Sequence, residues 1–411
     1  MLPGFKKSGN FALKKEKNMN AFSYRIAGVQ PSAIREILKS TADPNVISFA
    51  AGNPAPEAFP IDEIRRISSE ILTEEPIAAL QYSITEGYPK LRDWLKDDME
   101  KKGDFRRNSE DLIITCGAQQ AIETCAKIFC NEGETVICEN YSFIGSLNAF
   151  RSYNAKLVGV ETDNDGMIPE KLEKALKENP RTAFIYVIPN FQNPTGVTTS
   201  LERRKAILEL AYKYNVLIVE DNPYGELRFA GMDLPDIKSM DTKGHVIYAG
   251  SFSKVLSPGL RVGYMIAEKN VIAKATVALQ TSTVHANIWA QMVTYRFVTE
   301  TDFGAHLERL REIYKNKCSL MLNSLKFSMP MSISFTEPEG GLFIWGTLPC
   351  GDMNAFCKAA VAEKVAVVPG NAFLMNERDV SYSFRLNYST PTDEQIEKGV
   401  EILAKVAKSM Y

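Results

Sequence analysis

The fold is decided by a stretch that reads Val246-Ile247-Tyr248-Ala249-Gly250-Ser251-Phe252-Ser253-Lys254-Val255-Leu256-Ser257-Pro258-Gly259-Leu260-Arg261-Val262-Gly263. Its apolar first part is typical of a buried β-strand, and Lys254 comes just after that strand ends. A buried amine loses its charge readily, and a neutral lysine is a nucleophile for carbonyl compounds. An isolated loop lysine is more often solvated, so the rest of the chain must decide its role.

From position 112 onward, short apolar runs alternate with helical segments. Most of these runs are continuous, as expected for strands that are covered on both faces. They predict an α/β fold with a mainly parallel, seven-stranded sheet in a large domain. The last run follows its predecessor too closely for a helical crossover, which allows antiparallel pairing there. The runs are 112–115, 135–138, 155–160, 182–188, 216–219, 246–249 and 262–266.

The length of 411 residues favours two domains. In the C-terminal part, the turn residues between helices and strands follow a different pattern, and residues 381–388 form a strictly alternating strand. Both features predict a smaller α+β domain. We expect the N-terminal segment to pack with it. The predicted division is a flexible tail at 1–20, the N-terminal segment of the small domain at 21–56, the large cofactor-binding domain at 57–304 and the C-terminal small domain at 305–411. Helices are predicted at 31–38, 61–74 and 88–102, and over a long region from 268 to 325.

Composition limits the classes of function. A net charge of −2 provides no general basic surface for nucleic acid or an anionic membrane. No apolar run approaches the roughly 20 residues that span a bilayer, and residues 1–20 lack a signal-peptide core. The seven cysteines form no Cys-x-x-Cys pair, which predicts reduced thiols and a cytoplasmic location. The three histidines stand at no ligand spacing, so no metal site is expected.

Several candidate residues fall at strand ends, where ligands bind in open α/β sheets. The turn at Gly117-Ala118-Gln119 opens a helix and would suit a phosphate, although alone it is more simply a strand-to-helix turn. Tyr141 is able to stack on a planar ring or merely to pack. Asn193 lies in an Asn-Pro-Thr-Gly turn that presents an amide. Asp221 either caps the next helix or pairs with a buried cation.

Jointly, these residues describe a site for pyridoxal 5′-phosphate. An aspartate keeps the pyridine nitrogen protonated, so that the ring withdraws electrons from the substrate Cα. The lysine forms a Schiff base with the cofactor and later acts as the general base. Ser251, Ser253 and Arg261 are suited to hold the phosphate, with Arg261 as a fork-shaped donor.

From about position 21 to the end, the sequence resembles the class I/II (fold type I) pyridoxal-phosphate-dependent aminotransferases. The order and spacing of all the shared motifs agree. They are Gly52-Asn53-Pro54, Tyr82 with Gly87, Gly117-Ala118-Gln119-Gln120, Tyr141, Asn193-Pro194-Thr195-Gly196, Asp221-Asn222-Pro223-Tyr224, Ser251-Phe252-Ser253-Lys254 with Arg261, and Arg385-Leu386-Asn387-Tyr388.

The resemblance implies a role for each matching residue. Lys254 would carry the cofactor, Asp221 would pair with the pyridinium, and Tyr141 would stack on the ring. Tyr224 and Asn193 would bind the ring hydroxyl. The remaining cofactor contacts would come from the Gly117-Ala118-Gln119 turn, Ser251, Ser253 and Arg261 and, across a homodimer with shared active sites, Tyr82.

The resemblance also implies a substrate site. Arg385 would bind the α-carboxylate through a bidentate contact, beside Asn193 and Gly52. A surface strand charge is the local alternative for Arg385. Three further stretches narrow the resemblance within the family: Ser32-Ala33-Ile34-Arg35, Ala79-Leu80-Gln81-Tyr82-Ser83 and Thr281-Ser282-Thr283-Val284-His285. Through them the chain resembles the 2-aminoadipate/kynurenine aminotransferases, which are similar to the sensor domains of MocR-type regulators. In that branch Arg35 would meet a distal carboxylate, although a helix-surface arginine is the simpler interpretation.

The leading hypothesis is a homodimeric, cytoplasmic aminotransferase that moves an amino group between an amino acid and a 2-oxo acid by a ping-pong mechanism. A β-lyase on the same fold is the enzymatic alternative. A non-catalytic amino-acid sensor is the second, and residues 1–20 are too short for the DNA-binding segment that it would need. Asn53 and the basic N-terminal tail depart from the family pattern, which leaves the choice of substrate open.

Overall fold

The computed structural model describes residues 22–27, 29, 43 and 45–410. The strands are β1 (Ile47–Ser48), β2 (Glu110–Thr115), β3 (Thr135–Glu139), β4 (Lys156–Val160), β5 (Thr162–Asp163), β6 (Gly166–Met167), β7 (Thr182–Val187), β8 (Leu217–Asn222), β9 (Val246–Ser251), β10 (Gly263–Glu268), β11 (Ser334–Phe335), β12 (Phe343–Thr347), β13 (Val365–Ala366), β14 (Val368–Pro369) and β15 (Ser383–Asn387). The helices are Tyr24–Ala27, Ile61–Glu74, Pro76–Leu80, Pro89–Lys102, Ala118–Phe129, Ile144–Arg151, Pro169–Glu178, Leu201–Tyr214, Ile237–Met240, Lys269–Gln280, Ile288–Glu300, Phe303–Ser328, Met353–Ala362 and Asp393–Met410.

The large sheet has seven strands in the order β2-β10-β9-β8-β7-β3-β4. The pairs among β9, β8, β7, β3 and β4 are parallel, whereas β10 runs antiparallel to both β9 and β2. Each predicted apolar run corresponds to one of these strands. The fold class is therefore confirmed, and so is the antiparallel pairing of the last strand. The carboxyl ends of the parallel strands meet at one edge of the sheet.

Both faces of the sheet are covered, which explains the continuous apolar runs. On β7, Phe184 and Tyr186 belong to one apolar core, and Ile185 and Val187 belong to a second core on the other face. Because successive side chains of a strand point to opposite faces, one short run stabilises two layers of packing.

The N- and C-terminal parts of the chain meet in smaller sheets. Strands β11, β12, β15 and β14 form an antiparallel sheet in the order β11-β12-β15-β14. Strand β1 pairs in parallel with β13, so that residues 47–48 lie beside residues 365–366. The predicted packing of the N-terminal segment against the C-terminal part is present at this pair, and the domain boundaries themselves stay predictions.

Two helix predictions need comment. Over the long region from 268 to 325, the chain forms three helices instead of a continuous one, interrupted at 281–287 and 301–302. Asn287 and Asp302 accept hydrogen bonds from the backbone N–H groups of Ala290 and Ala305, which starts a new helix at each break. The predicted helix at 31–38 lies outside the described residues.

Candidate active site

A cavity of about 390 Å³ lies at the carboxyl ends of the parallel strands and is closed on one side by residues of β12 and β15. It brings together most of the predicted site residues from seven separate segments of the chain. The predicted residues that line it are Gly52, Ala118, Gln119, Asn193, Asp221, Tyr224, Ser251, Ser253, Lys254, Arg261 and Arg385.

Lys254 lies in the turn that follows β9, where its Nζ donates a hydrogen bond to the Gly52 carbonyl oxygen at 2.6 Å. Burial lowers the pKa of this amine to about 8, and the nearby positive charges of Arg385 and Arg261 contribute in the same direction. A solvated loop lysine would keep its usual pKa. Lys254 is thus an amine that is easily available in its neutral, nucleophilic form.

Asp221 lies near the end of β8 and is almost completely buried. Its Oδ2 accepts a hydrogen bond from the Tyr186 hydroxyl at 2.7 Å. Its Oδ1 is buried and has no partner among the described residues. Burial raises the pKa of the carboxyl to about 7, against the opposing effect of the Tyr186 hydrogen bond. No described hydrogen bond makes this aspartate a helix cap, so the cation-pairing interpretation fits the geometry.

Arg385 lies on β15, all of whose residues are buried. Its Nη1 donates to Asn193 Oδ1 at 2.8 Å and its Nη2 to the Ala50 carbonyl at 2.7 Å, whereas the buried Nε has no partner within 45–410. The guanidinium lies over the Phe343 ring, 4.3 Å from its centroid. Burial lowers its pKa to about 10. Because Arg385 is buried, the alternative interpretation that it is an exposed charge on a surface strand is excluded.

Asn193 connects Arg385 to the aromatic side of the cavity. Its Nδ2 donates to the Tyr224 hydroxyl at 3.4 Å while its Oδ1 accepts from Arg385. Burial raises the pKa of Tyr224 above its usual value, so this phenol keeps its proton. An amide, a phenol and a guanidinium therefore share one wall.

Another part of the cavity contains hydrogen-bond donors around the turn before the helix Ala118–Phe129. Gly117 adopts a φ of 74°, and a Cβ placed there would lie 2.4 Å from Arg261 Nη2. Arg261 Nη2 donates to the Cys116 carbonyl at 2.9 Å, and Ser251 Oγ donates to Ser253 Oγ at 2.9 Å. A helix N-terminus beside two hydroxyls and a guanidinium is a favourable site for a phosphate.

The stacking role expected of Tyr141 stays a prediction. Its ring packs edge-on against Trp345 at 4.9 Å between centroids, and its hydroxyl lies 3.1 Å from Ser381 Oγ. Phe143, two residues later, lines the cavity. Both aromatics follow the same strand, and the sequence holds no signal that separates them.

Two other predicted residues, Gly117 and Tyr82, do not line the cavity, although Gly117 directly precedes Ala118, which does. Tyr82 is 82% exposed and makes an edge-on contact with the His285 ring. Arg35 lies outside the described residues. Sequence reasoning also missed Tyr186, whose position inside an apolar run gave no sign that its hydroxyl reaches Asp221.

The residues of the cavity fit pyridoxal 5′-phosphate. Asp221 Oδ1 and Arg385 Nε are buried polar atoms without partners among the described residues, and leaving such atoms unpaired costs free energy. An acceptor for a ring nitrogen, donors for a phosphate and an amine for a carbonyl all face one space. No helix in the described residues is long and apolar enough to cross a membrane.

Comparisons with known proteins agree on one family. The model of the family described as aminotransferase class I and II matches residues 44–403. The chain is 40% identical to the aromatic-amino-acid aminotransferase 1 of Thermococcus litoralis, over 94% of each chain. It is 38% identical to the 2-aminoadipate transaminase of Thermus thermophilus, over 95% of this chain and 97% of the relative. The crystal structure of a kynurenine aminotransferase from Pyrococcus horikoshii in complex with PMP superposes with a TM-score of 0.92 at 37% identity, over 96% of this chain and 98% of its own.

Proposed function

Because the chain belongs to the class I and II aminotransferases and is a pyridoxal-phosphate-dependent enzyme, we propose that the cavity around Lys254 is its active site. One observation carries this proposal: Lys254, Asp221 and Arg385 line the same cavity, and the last two each keep a buried polar atom without a partner in the described chain. Bound pyridoxal 5′-phosphate supplies an electron-withdrawing ring that stabilises negative charge at the substrate Cα. The relatives favour neither a β-lyase nor a sensor.

Lys254 attaches the cofactor and moves the substrate proton. A lysine with a pKa near 8 is partly neutral at physiological pH, so its Nζ is able to accept the Cα proton of an amino acid and return it. The Gly52 carbonyl, 2.6 Å from Nζ, supports this position of the side chain.

Asp221, Tyr224 and Asn193 bind the cofactor ring. Asp221 accepts a hydrogen bond from the ring nitrogen, for which its free Oδ1 is suited. Tyr224 and Asn193 serve the ring hydroxyl, and an aromatic ring that follows β3, Tyr141 or Phe143, stacks on the cofactor ring. The phosphate is held by Gly117, Ala118, Gln119, Ser251, Ser253 and Arg261.

Arg385 binds the α-carboxylate of the amino acid, beside Asn193 and Gly52. Its planar guanidinium offers Nε in addition to the two Nη groups, and bidentate binding uses two such donors. Phe343 and Phe373 lie against the guanidinium at 4.3 and 5.1 Å, which fixes its plane.

The amino donor is an aromatic amino acid or 2-aminoadipate, and a 2-oxo acid is the acceptor. Two of the relatives are named for these donors. Ile122, Phe143, Ile188 and Phe343 supply an apolar lining that suits an aromatic side chain. A distal carboxylate would need a further cation, for which Arg35 is our candidate.

The enzyme works as a homodimer in the cytoplasm. Ile77, Leu80 and Tyr82 form an exposed apolar surface that another copy of the chain would cover, and Tyr82 would then reach the phosphate of the partner subunit. All seven cysteines are unpaired, which supports a reducing compartment.

The function is tested by following the absorbance of the bound cofactor. Adding phenylalanine or 2-aminoadipate should convert the cofactor to its amino form, and adding a 2-oxo acid should restore the starting spectrum. A panel that includes kynurenine and branched amino acids would rank the donors. Release of ammonia or pyruvate without such a reversible cycle would refute the proposal in favour of a lyase.

A further inference from the structure

Three buried side chains form a continuous line of hydrogen bonds that ends at the cavity. Ser146 Oγ, on the helix Ile144–Arg151, donates to the Tyr186 hydroxyl at 2.8 Å. The Tyr186 hydroxyl, on β7, donates to Asp221 Oδ2 at 2.7 Å. Ser146 and Tyr186 are fully buried and line no part of the cavity.

The direction of these hydrogen bonds is fixed by the number of protons available. Tyr186 has one phenolic proton, and its pKa lies well above the usual value because of burial and the negative charge of Asp221. Because Ser146 donates its own proton to the phenol oxygen, the phenolic proton is left to face Asp221. Asp221 thus receives a donor and keeps its other oxygen unpartnered within the described chain.

Asp221 depends on this donor to stay ionised. Burial favours the neutral acid, and the Tyr186 hydrogen bond is the contribution from a neighbour that opposes it. Among the described residues, two other titratable groups interact with Asp221: Glu139, whose burial raises its pKa to about 8, and Tyr224, which keeps its proton. Neither of them stabilises a negative charge on Asp221.

We propose that Tyr186 is a positioning residue for the reaction, oriented by Ser146, and that it keeps Asp221 anionic with Oδ1 free for the cofactor. This inference rests on the proposed role of Asp221. Tyr186 touches neither the cavity nor a reacting atom, so it acts entirely through Asp221.

The direct test is the holoenzyme of the variant Tyr186→Phe, which keeps the ring that packs against Phe150. Losing a hydrogen bond to a charged group should lower kcat/KM by roughly tenfold or more, mainly through kcat. The bound cofactor should also change. Its absorbance depends on whether the nitrogen that joins the cofactor to Lys254 is protonated. When the ring nitrogen is less protonated, this second nitrogen accepts a proton more easily. The pH midpoint of the absorbance change should therefore rise by up to about one unit.

Tyr212→Phe is the matched control. Tyr212 donates to Asp241 Oδ1 at 2.8 Å, which is the same kind of hydrogen bond, and neither residue lines the cavity. This variant should lose a comparable amount of stability while its absorbance midpoint and kcat stay at the wild-type values. A purely structural role for Tyr186 predicts the same behaviour for both variants.

Ser146→Ala tests the chain without altering the tyrosine, and it serves if Tyr186→Phe does not fold. It should shift the midpoint in the same direction but by less, and the double variant should match Tyr186→Phe alone, because Ser146 acts through Tyr186. If the midpoint shifts of the two single variants add in the double variant, Ser146 does not act through Tyr186.

The outcome for Asp221→Asn separates this inference from the function on which it rests. If Asp221→Asn is strongly impaired while Tyr186→Phe keeps the wild-type midpoint and kcat/KM, the positioning role is wrong and the active site stands. If Asp221→Asn is itself unimpaired, the assignment of Asp221 fails, and the positioning role fails with it.

Discussion

At the scale of single residues, the cavity holds ionisable groups away from their ordinary states. Lys254 and Arg385 have lowered pKa values and Asp221 a raised one, and burial is the largest cause in each case. Groups of this kind cost stability when they stand without their ligands, and they concentrate where binding and catalysis take place. The cost is measurable, and it provides tests that do not depend on turnover.

Lys254→Met should stabilise the cofactor-free protein. Lowering the pKa from its ordinary 10.5 to about 8 corresponds to roughly 3 kcal/mol of unfavourable interaction for the charged amine. The loss of the hydrogen bond to Gly52 offsets part of this gain, which leaves about 1–2 kcal/mol in urea unfolding at pH 7.

The pH dependence of that difference has a definite sign. Below pH 8 the amine is charged in both the folded and the unfolded state, so the full gain is present. Between pH 8 and 10.5 the folded state releases its proton first, and the gain declines as the pH rises. A difference that grew with pH over this range would contradict the burial of a charged Lys254.

Arg385→Lys should impair the enzyme although it keeps the positive charge. An ammonium cannot form the fork that a guanidinium presents to a carboxylate. We expect kcat/KM for the amino acid to fall by roughly ten- to a hundredfold, with a raised KM, in steady-state assays. Arg378→Lys, on an exposed loop, is the control that should keep wild-type kinetics. Equal kinetics for the two variants would remove Arg385 from the carboxylate site.

At the scale of elements, the turn between β2 and the helix Ala118–Phe129 depends on Gly117. Its φ of 74° disfavours any side chain, and a Cβ would meet Arg261 Nη2 at 2.4 Å. A φ of 74° with a ψ of 169° is essentially a glycine conformation, so Gly117→Ala should cost about 1–3 kcal/mol of backbone strain and also displace Arg261, which weakens cofactor binding.

Gly133→Ala separates these two effects. Gly133 has a similar φ of 78°, but a Cβ there would meet nothing within 4 Å. We expect both variants to lose stability in urea and only Gly117→Ala to lose affinity in an absorbance titration with the cofactor. Equal affinities would show that the turn does not hold the phosphate.

The strands and the residues at their ends differ in how far the sequence predicts them. All seven strands of the large sheet were predictable from short apolar runs, most of them continuous. Lys254, Asp221 and Asn193 were predictable because they stand at or near strand ends. The surroundings of Tyr141 were not predictable, because its ring packs against Trp345, which is distant in sequence. Arg385 resembled a surface charge because the layers that bury β15 come from other segments of the chain.

At the scale of the whole molecule, the cavity takes residues from both ends of the chain. Gly52 comes from the N-terminal segment, Arg385 from the C-terminal part, and Lys254 from the large sheet. Relative movement of these parts would change the cavity itself. The proposed homodimer extends this arrangement, because Tyr82 lies on the surface and would complete the site of a partner subunit.

Hybrid dimers should test the sharing of active sites. When Lys254→Ala and Tyr82→Phe chains are refolded together, a mixed dimer contains one site with both defects and one site with neither. If Tyr82 acts across the interface, the mixture should be more active than either variant refolded alone. Activity no higher than that of the Tyr82→Phe chains would indicate that Tyr82 acts within its own subunit or has no role.

Borohydride reduction followed by peptide mass spectrometry shows which lysine carries the cofactor. Reduction makes the bond between a lysine and pyridoxal phosphate permanent, so the modified peptide identifies the lysine. We expect the peptide that contains Lys254 to carry the reduced cofactor and the Lys254→Ala protein to carry none. Modification of a different lysine in the wild-type protein, or an unmodified Lys254 in active enzyme, would contradict this expectation.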